Sequence, residues 1–256
     1  MPTLDSMATV TSKAALRPRD YVRVQGPDAE DFLQRMVSND VTLAPCEALL
    51  LTPKARVIAP LVVVRREADD FLLLTEPGLG EVVRTTLVRA RFAAKIEIEP
   101  EEHRSVLVFG DGDGIPNRDY GTPAVELIDA DVEPTLNGDE LERMRIEAGT
   151  PAWGKELDDR VLPAEAGLDE RAISFTKGCY PGQEPIARLH YRGKVNRRLR
   201  VLEVDGAEPG QEIAYGGKVV GRVTSAVGDR ALAYVRTEVP AGAELEVGTA
   251  RARPLN

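Results

Sequence analysis

An α+β fold is predicted for residues 1–198, followed by a small β-barrel over residues 199–256, and three features carry that expectation. Strand-like runs follow one another with helical stripes set between them, so strands pair with near neighbours instead of crossing over through helices. No Gly-rich loop follows a strand, which excludes a Rossmann or P-loop phosphate site. From Leu199 the texture turns to short alternating strands parted by glycine turns, the spacing of a closed barrel.

Along the chain, residues 21–24 alternate as a strand that stops at Gly26-Pro27. Asp28 is placed to cap a helix over residues 28–37, where Phe32, Leu33, Met36 and Val37 recur at helical spacing. Residues 48–51, 57–64 and 71–75 read as strands, separated by Pro53-Lys54 and Ala68-Asp69-Asp70. Leu79, Val82, Val83, Leu87 and Phe92 form a second helical stripe, and residues 95–99 alternate again. Residues 106–109 make a short buried strand, and the 110–114 loop lacks the acid spacing and closing glutamate of a calcium loop. A helix is expected over 139–148, ended by Gly149. The barrel strands are 199–204, 212–215, 218–225, 231–235 and 244–247, with Gly216-Gly217 as a hairpin turn.

Charge and composition narrow the function classes. The 256 residues carry 33 basic and 42 acidic side chains, a net charge of −9, which argues against direct nucleic-acid binding. Two cysteines, Cys46 and Cys179, and two histidines, His103 and His190, cannot furnish an all-cysteine iron–sulfur site, a repeated zinc motif or a secreted disulfide framework. No metal site is expected. The longest apolar run, residues 58–64, falls far short of the roughly 20 residues of a membrane helix. The first ten residues lack a signal-peptide pattern. A soluble, cytoplasmic chain without a membrane partner is expected.

Reactive side chains concentrate between Arg143 and Arg200. Lys177-Gly178-Cys179-Tyr180-Pro181-Gly182-Gln183-Glu184 gathers a lysine, thiol, phenol, amide and carboxylate in one turn-rich string, costly to bury without a purpose. With Ala187-Arg188 beyond it, the string resembles the signature of the YgfZ-like folate-binding proteins. These are relatives of the aminomethyltransferase (T-protein) of the glycine cleavage system and of mitochondrial iron–sulfur assembly factors. Arg145-Ile146-Glu147-Ala148-Gly149-Thr150-Pro151 and Pro163-Ala164-Glu165 match further family strings. So do Val24, Gly26-Pro27-Asp28-Ala29, Phe32-Leu33, Ser38-Asn39-Asp40-Val41 and Pro53-Lys54-Ala55-Arg56, where the family usually has glycine at position 55. The resemblance covers nearly the whole chain. It implies an aminomethyltransferase folate-binding-type body around a folate channel, of one or two intertwined subdomains, with the barrel packed against it. It also implies tetrahydrofolate or a folate derivative as cofactor, and iron–sulfur client enzymes as partners, including enzymes that modify transfer RNA.

The resemblance marks Cys179 as a functional thiol. Lys177 and Arg188 nearby favour the thiolate, whereas Cys46 has no such neighbours and reads as structural. Glu147 falls where the related aminomethyltransferases use a glutamate for the pterin, whose paired N–H donors one carboxylate can accept; the plain alternative is a solvated helix acid. Lys177, Tyr180, Gln183, Glu184 and Arg188 complete the candidate cofactor-binding set. Four of them have an ordinary alternative: capping for Lys177, Gln183 and Glu184, and packing for Tyr180. Trp153 and Phe175 read as core. Lys177, Arg188, Arg192, Lys194, Arg197, Arg198 and Arg200 form a basic stretch against the single acid Glu184. It reads as a solvated strand, a site for a folate polyglutamate tail, or a dock for an acidic protein or RNA.

The expected function is a tetrahydrofolate-binding accessory protein that supports assembly or repair of iron–sulfur enzymes without classical turnover. The alternative is a folate-dependent aminomethyltransferase or other one-carbon transferase. That class carries a catalytic aspartate after the strand–turn near residues 73–81, where this chain has only Glu76 and Glu81. Pro181 and Pro185 also depart from the family. Pro185 removes a backbone amide and is expected to shorten any element beginning at Glu184 and so shift the Cys179 loop.

Overall fold

A computed structural model describes residues 13–255; the first ten residues, read above for a signal pattern, lie outside them. In chain order the body contains β1 (Ala14–Leu16), β2 (Asp20–Gln25), α1 (Ala29–Met36), β3 (Cys46–Leu51), β4 (Val57–Glu67), β5 (Asp70–Thr75) and α2 (Gly80–Ala90). It continues with β6 (Glu97–Glu101), β7 (Ser105–Phe109), β8 (Ile115–Asn117), β9 (Ala124–Ile128), α3 (Gly138–Ala148) and α4 (Gln183–Arg192). The C-terminal strands are β10 (Arg197–Glu203), β11 (Glu212–Tyr215), β12 (Lys218–Val227), β13 (Arg230–Arg236), β14 (Leu245–Val247) and β15 (Ala250–Pro254).

The strands form a five-stranded antiparallel sheet in the order β3-β4-β5-β2-β6, a four-stranded sheet β1-β7-β9-β8, and a closed barrel β10-β13-β12-β11-β14-β15. β5 explains how the first two sheets meet. Every one of its residues is buried. Phe71 and Leu73 join Phe32, Leu33, Val83 and Leu87 of the helices on one face. Leu72 and Leu74 join Tyr21 and Ile115 under the second sheet on the other. A strand covered on both faces reads as a continuous apolar run, which is why the Phe-Leu-Leu-Leu run of β5 does not alternate. Tyr21 fastens the two layers by donating its hydroxyl to Ser105 Oγ at 2.6 Å.

The α+β class and the closed barrel agree with the expectation, but several local readings are corrected. Asp28 does not cap α1; its carboxylate accepts Lys95 N–H at 2.8 Å instead, tying the helix start to the approach to β6. Phe92 lies beyond α2 at φ 45° and is 92% exposed, so it is no part of that helix's apolar stripe. The closing strand β15, the short strands β1, β8 and β9, and helix α4 were not anticipated. Pro185 does not shorten α4, because it stands third in the helix, where its missing amide would have had no intrahelical acceptor anyway. Gly182 starts α4 at φ 85°, and a Cβ there would sit 2.7 Å from Thr52 O, so only glycine lets the loop close onto the β3–β4 turn.

None of the helices among the described residues is long and apolar enough to cross a membrane. The barrel packs on α3 through Ile146, Val201 and Leu232.

Candidate functional site

A cavity of about 220 Å³ lies where β3 and β4, the turn after β8, α3 and residues 150–153 and 168–172 converge. The floor is apolar, with Leu49, Leu61, Leu157 and Leu168, and the rim is charged. Glu76 Oε1 accepts from Arg17 Nη2 at 2.5 Å and from Arg19 Nη1 at 3.1 Å, while its Oε2 accepts from Arg17 Nη1 at 3.1 Å. Arg19 is held in turn by Glu126, at 3.0 and 2.9 Å. On the opposite wall Arg171 bridges Asp119 at 2.8 Å and Glu47 at 3.0 Å.

These contacts set the protonation states. Burial opposes ionisation of Asp119, yet Arg171, Arg17 and Arg19 together hold its carboxyl below the usual range. At Glu47 burial outweighs Arg171 and raises the carboxyl. Burial pushes the Tyr120 phenol up to about 12, so it remains a hydrogen-bond donor across the physiological range. One donor is left over: Arg17 Nε is buried and has no hydrogen-bond partner among the described residues. Trp153, read above as core, is only partly buried and stands at the cavity wall. The cavity thus offers fixed donors, a carboxylate acceptor and an aromatic side chain around a space smaller than the ~300–1,000 Å³ of ordinary ligand pockets. Such a space suits a planar, hydrogen-bonding head group, not a whole extended ligand.

The 177–184 string lies beside this cavity, not in its wall. Lys177 Nζ donates to the carbonyls of Val37 and Asn39 at 2.9 and 2.7 Å, and stands 5.5 Å from the Tyr180 ring centroid. The Asn39 amide donates to the carbonyls of Glu47 and Arg171 at 2.7 and 3.2 Å, and both of those residues face the cavity. Ser38 Oγ adds a bond to Ala172 O at 2.6 Å. The string is therefore latched to the cavity wall through residues 38–39.

The structure separates the residues that sequence reasoning placed together. Cys179 is exposed and does not line the cavity. The ammonium expected to activate it faces Asp40 and Cys46 instead, and burial lowers Lys177 to about 8. Cys46, read as having no such neighbour, has Lys177 beside it, but burial dominates and pushes that thiol up to about 11. Tyr180 is buried, its hydroxyl without a partner among the described residues and its pKa raised to about 12 by burial. Gln183 and the exposed Glu184 open α4, and the exposed Arg188 borders a separate groove.

Glu147 is corrected outright. It is exposed and pairs with Arg143 Nε at 2.8 Å. α3 turns Leu141, Glu142 and Arg145 toward the cavity, and position 147 lies roughly 200° round the helix from Arg145. The helical period of α3 could have shown this, since a motif position cannot share a face with residues two places away. The arginines near residues 17–19 and the 117–120 turn carried no sequence signal, because their partners lie far along the chain.

Comparison with known proteins supports the same architecture. Residues 196–256 match the family model described as the CAF17 C-terminal beta-barrel domain. The human mitochondrial iron-sulfur cluster assembly factor IBA57 is 28% identical over 272 residues, covering 86% of this chain and 76% of that protein. An uncharacterized protein of Haemophilus influenzae is 28% identical over 233 residues, covering 83% of each. Among solved structures, glycine cleavage system aminomethyltransferase T from Bartonella henselae superposes with a TM-score of 0.76 at 19% identity, over 94% of this chain and 84% of that chain. The chain therefore has the aminomethyltransferase T-type fold and is similar in sequence to iron–sulfur cluster assembly factors.

Proposed function

We propose that the protein binds the pterin head group of tetrahydrofolate in the central cavity and supports assembly or repair of iron–sulfur enzymes, transfer-RNA-modifying ones among them. The observation that carries the cavity reading is Arg17 Nε, a buried cationic donor without an acceptor among the described residues, since such groups are rarely left unmatched. Arg17 and Tyr120 would donate to the ring's carbonyl and nitrogen acceptors. Glu47 would accept its N–H pair, the role first assigned to Glu147. Bound tetrahydrofolate would supply a carrier for a one-carbon unit. Cys179, on an exposed loop latched to the cavity wall, would be presented to a client enzyme and not to the folate ring.

The transferase alternative is weakened by its own candidate acids. Glu81 lies on α2, paired with Arg84 at 2.8 Å away from the cavity. Glu76 reaches the cavity, but Arg17 and Arg19 already engage both of its oxygens, so it is committed to those ion pairs and poorly placed to act on a substrate amine. The test is a strain lacking the protein, complemented with wild type, Arg17→Met or Cys179→Ala, with several iron–sulfur enzymes and co-purifying folate assayed together. Wild type should restore the enzymes, Arg17→Met should lose both folate and rescue, and Cys179→Ala should keep folate but lose rescue. Full rescue by Arg17→Met would overturn the cavity reading.

A further inference from the structure

We propose that the groove beside α4 docks an acidic segment of a partner protein that also carries aliphatic side chains. The groove encloses about 1010 Å³ between α4, residues 162–175 and the entrance to the barrel. Ile173, Phe175, Ile186, Leu189 and Val195 give it an apolar lining. Arg188, Arg192, Lys194 and Arg198 border it, all exposed and without an ion-pair or hydrogen-bond partner among the described residues.

The rest of the basic stretch is already committed. Arg197 pairs with Glu165 at 3.2 Å and lies 4.5 Å above the Tyr234 ring, Arg200 donates to Val239 O at 3.2 Å, and Lys177 is held by backbone carbonyls. Within the basic stretch, the cations left without a partner among the described residues therefore all border this groove. Arg188 and Arg192 are one helical turn apart, so both guanidiniums lie on one face of α4.

Charge complementarity selects an acidic occupant, and the apolar lining selects a polypeptide with aliphatic side chains. A phosphate-rich strand has no aliphatic side chains to pack against Ile173, Ile186, Leu189 and Val195. A folate polyglutamate tail fits poorly, because groove and cavity share no lining residue. Residues 168–173 partition them, with Leu168 and Ala172 on the cavity side and Asp169 and Ile173 on the groove side. The inference stands independently of what the cavity binds.

The test is fluorescence anisotropy at low and high salt with four labelled probes: a short peptide of glutamate and leucine, its analogue with serine for leucine, oligoglutamate, and single-stranded RNA. The glutamate–leucine peptide should bind roughly tenfold or more tighter than the other three, with affinity falling as salt rises. Both Arg188→Glu/Arg192→Glu and Lys194→Glu/Arg198→Glu should weaken it about tenfold or more while leaving thermal stability and tetrahydrofolate binding unchanged. Equal binding of the serine analogue or oligoglutamate, tighter binding of RNA, or indifference to both charge reversals would overturn the proposal.

Discussion

Arg145 Nη1 stands 2.9 Å from Glu156 Oε2, and this buried pair joins body, barrel and cavity. Arg145 also donates to Thr150 O at 2.5 Å and to Ser225 Oγ at 3.0 Å, and the Ser225 hydroxyl donates in turn to Glu156 Oε1 at 2.6 Å. Tyr234 of the barrel closes the set on Glu156 O at 2.8 Å. Arg145 also lines the cavity, so one side chain is shared by the barrel contact and the cavity wall.

Removing one partner of this pair leaves a buried charge uncompensated. Arg145→Met should cost about 3–5 kcal/mol in urea denaturation. A loss below about 1 kcal/mol would show that the pair does not anchor the barrel.

Cys179 should alkylate well before Cys46 at neutral pH in a mass-spectrometric time course. The reason is not the one the sequence offered. Cys46 is half-buried with its thiol raised to about 11, while Cys179 is exposed. Equal rates would contradict this environment for Cys46.

Lys177 should titrate near pH 8 when followed by carbon-13 NMR of its ε-methylene, burial having lowered it from 10.5. Below about pH 8 folded and unfolded chains both hold this proton. Between about 8 and 10.5 the unfolded chain binds more, so this group makes stability rise with pH across that window. Lys177→Met should flatten that rise. A midpoint near the ordinary lysine value would instead mean that the Val37 and Asn39 carbonyls fully offset burial.

Mixed with the other components of glycine cleavage, the protein should transfer no aminomethyl group, because Glu76 is bound by Arg17 and Arg19. Measurable turnover would restore the transferase reading.

The sequence disclosed what is written in local pattern. The alternation of β2 and β4, the helical spacing of α1 and the Gly149 stop, at φ 75°, are properties of neighbouring residues and could be read directly. The 177–184 string carried a family resemblance but not the direction of its side chains. Lys177 turns to Val37 and Asn39, well over a hundred positions away, and no spacing rule reports that. The cavity was illegible for the same reason, since Arg17–Glu76 and Arg171–Asp119 are long-range pairs. β1 and β8 span only three residues each, too short for alternation to register.

Trp153 is the chain's single tryptophan and stands at the cavity wall, so its emission reports on the central claim. Tetrahydrofolate should quench it saturably, after correction for absorbance against free N-acetyltryptophanamide. The quench should persist in Glu147→Gln and weaken about tenfold or more in Arg17→Met, the loss of a charged hydrogen bond. Emission that does not respond, or responds equally in wild type and Arg17→Met, would contradict a folate head group in this cavity.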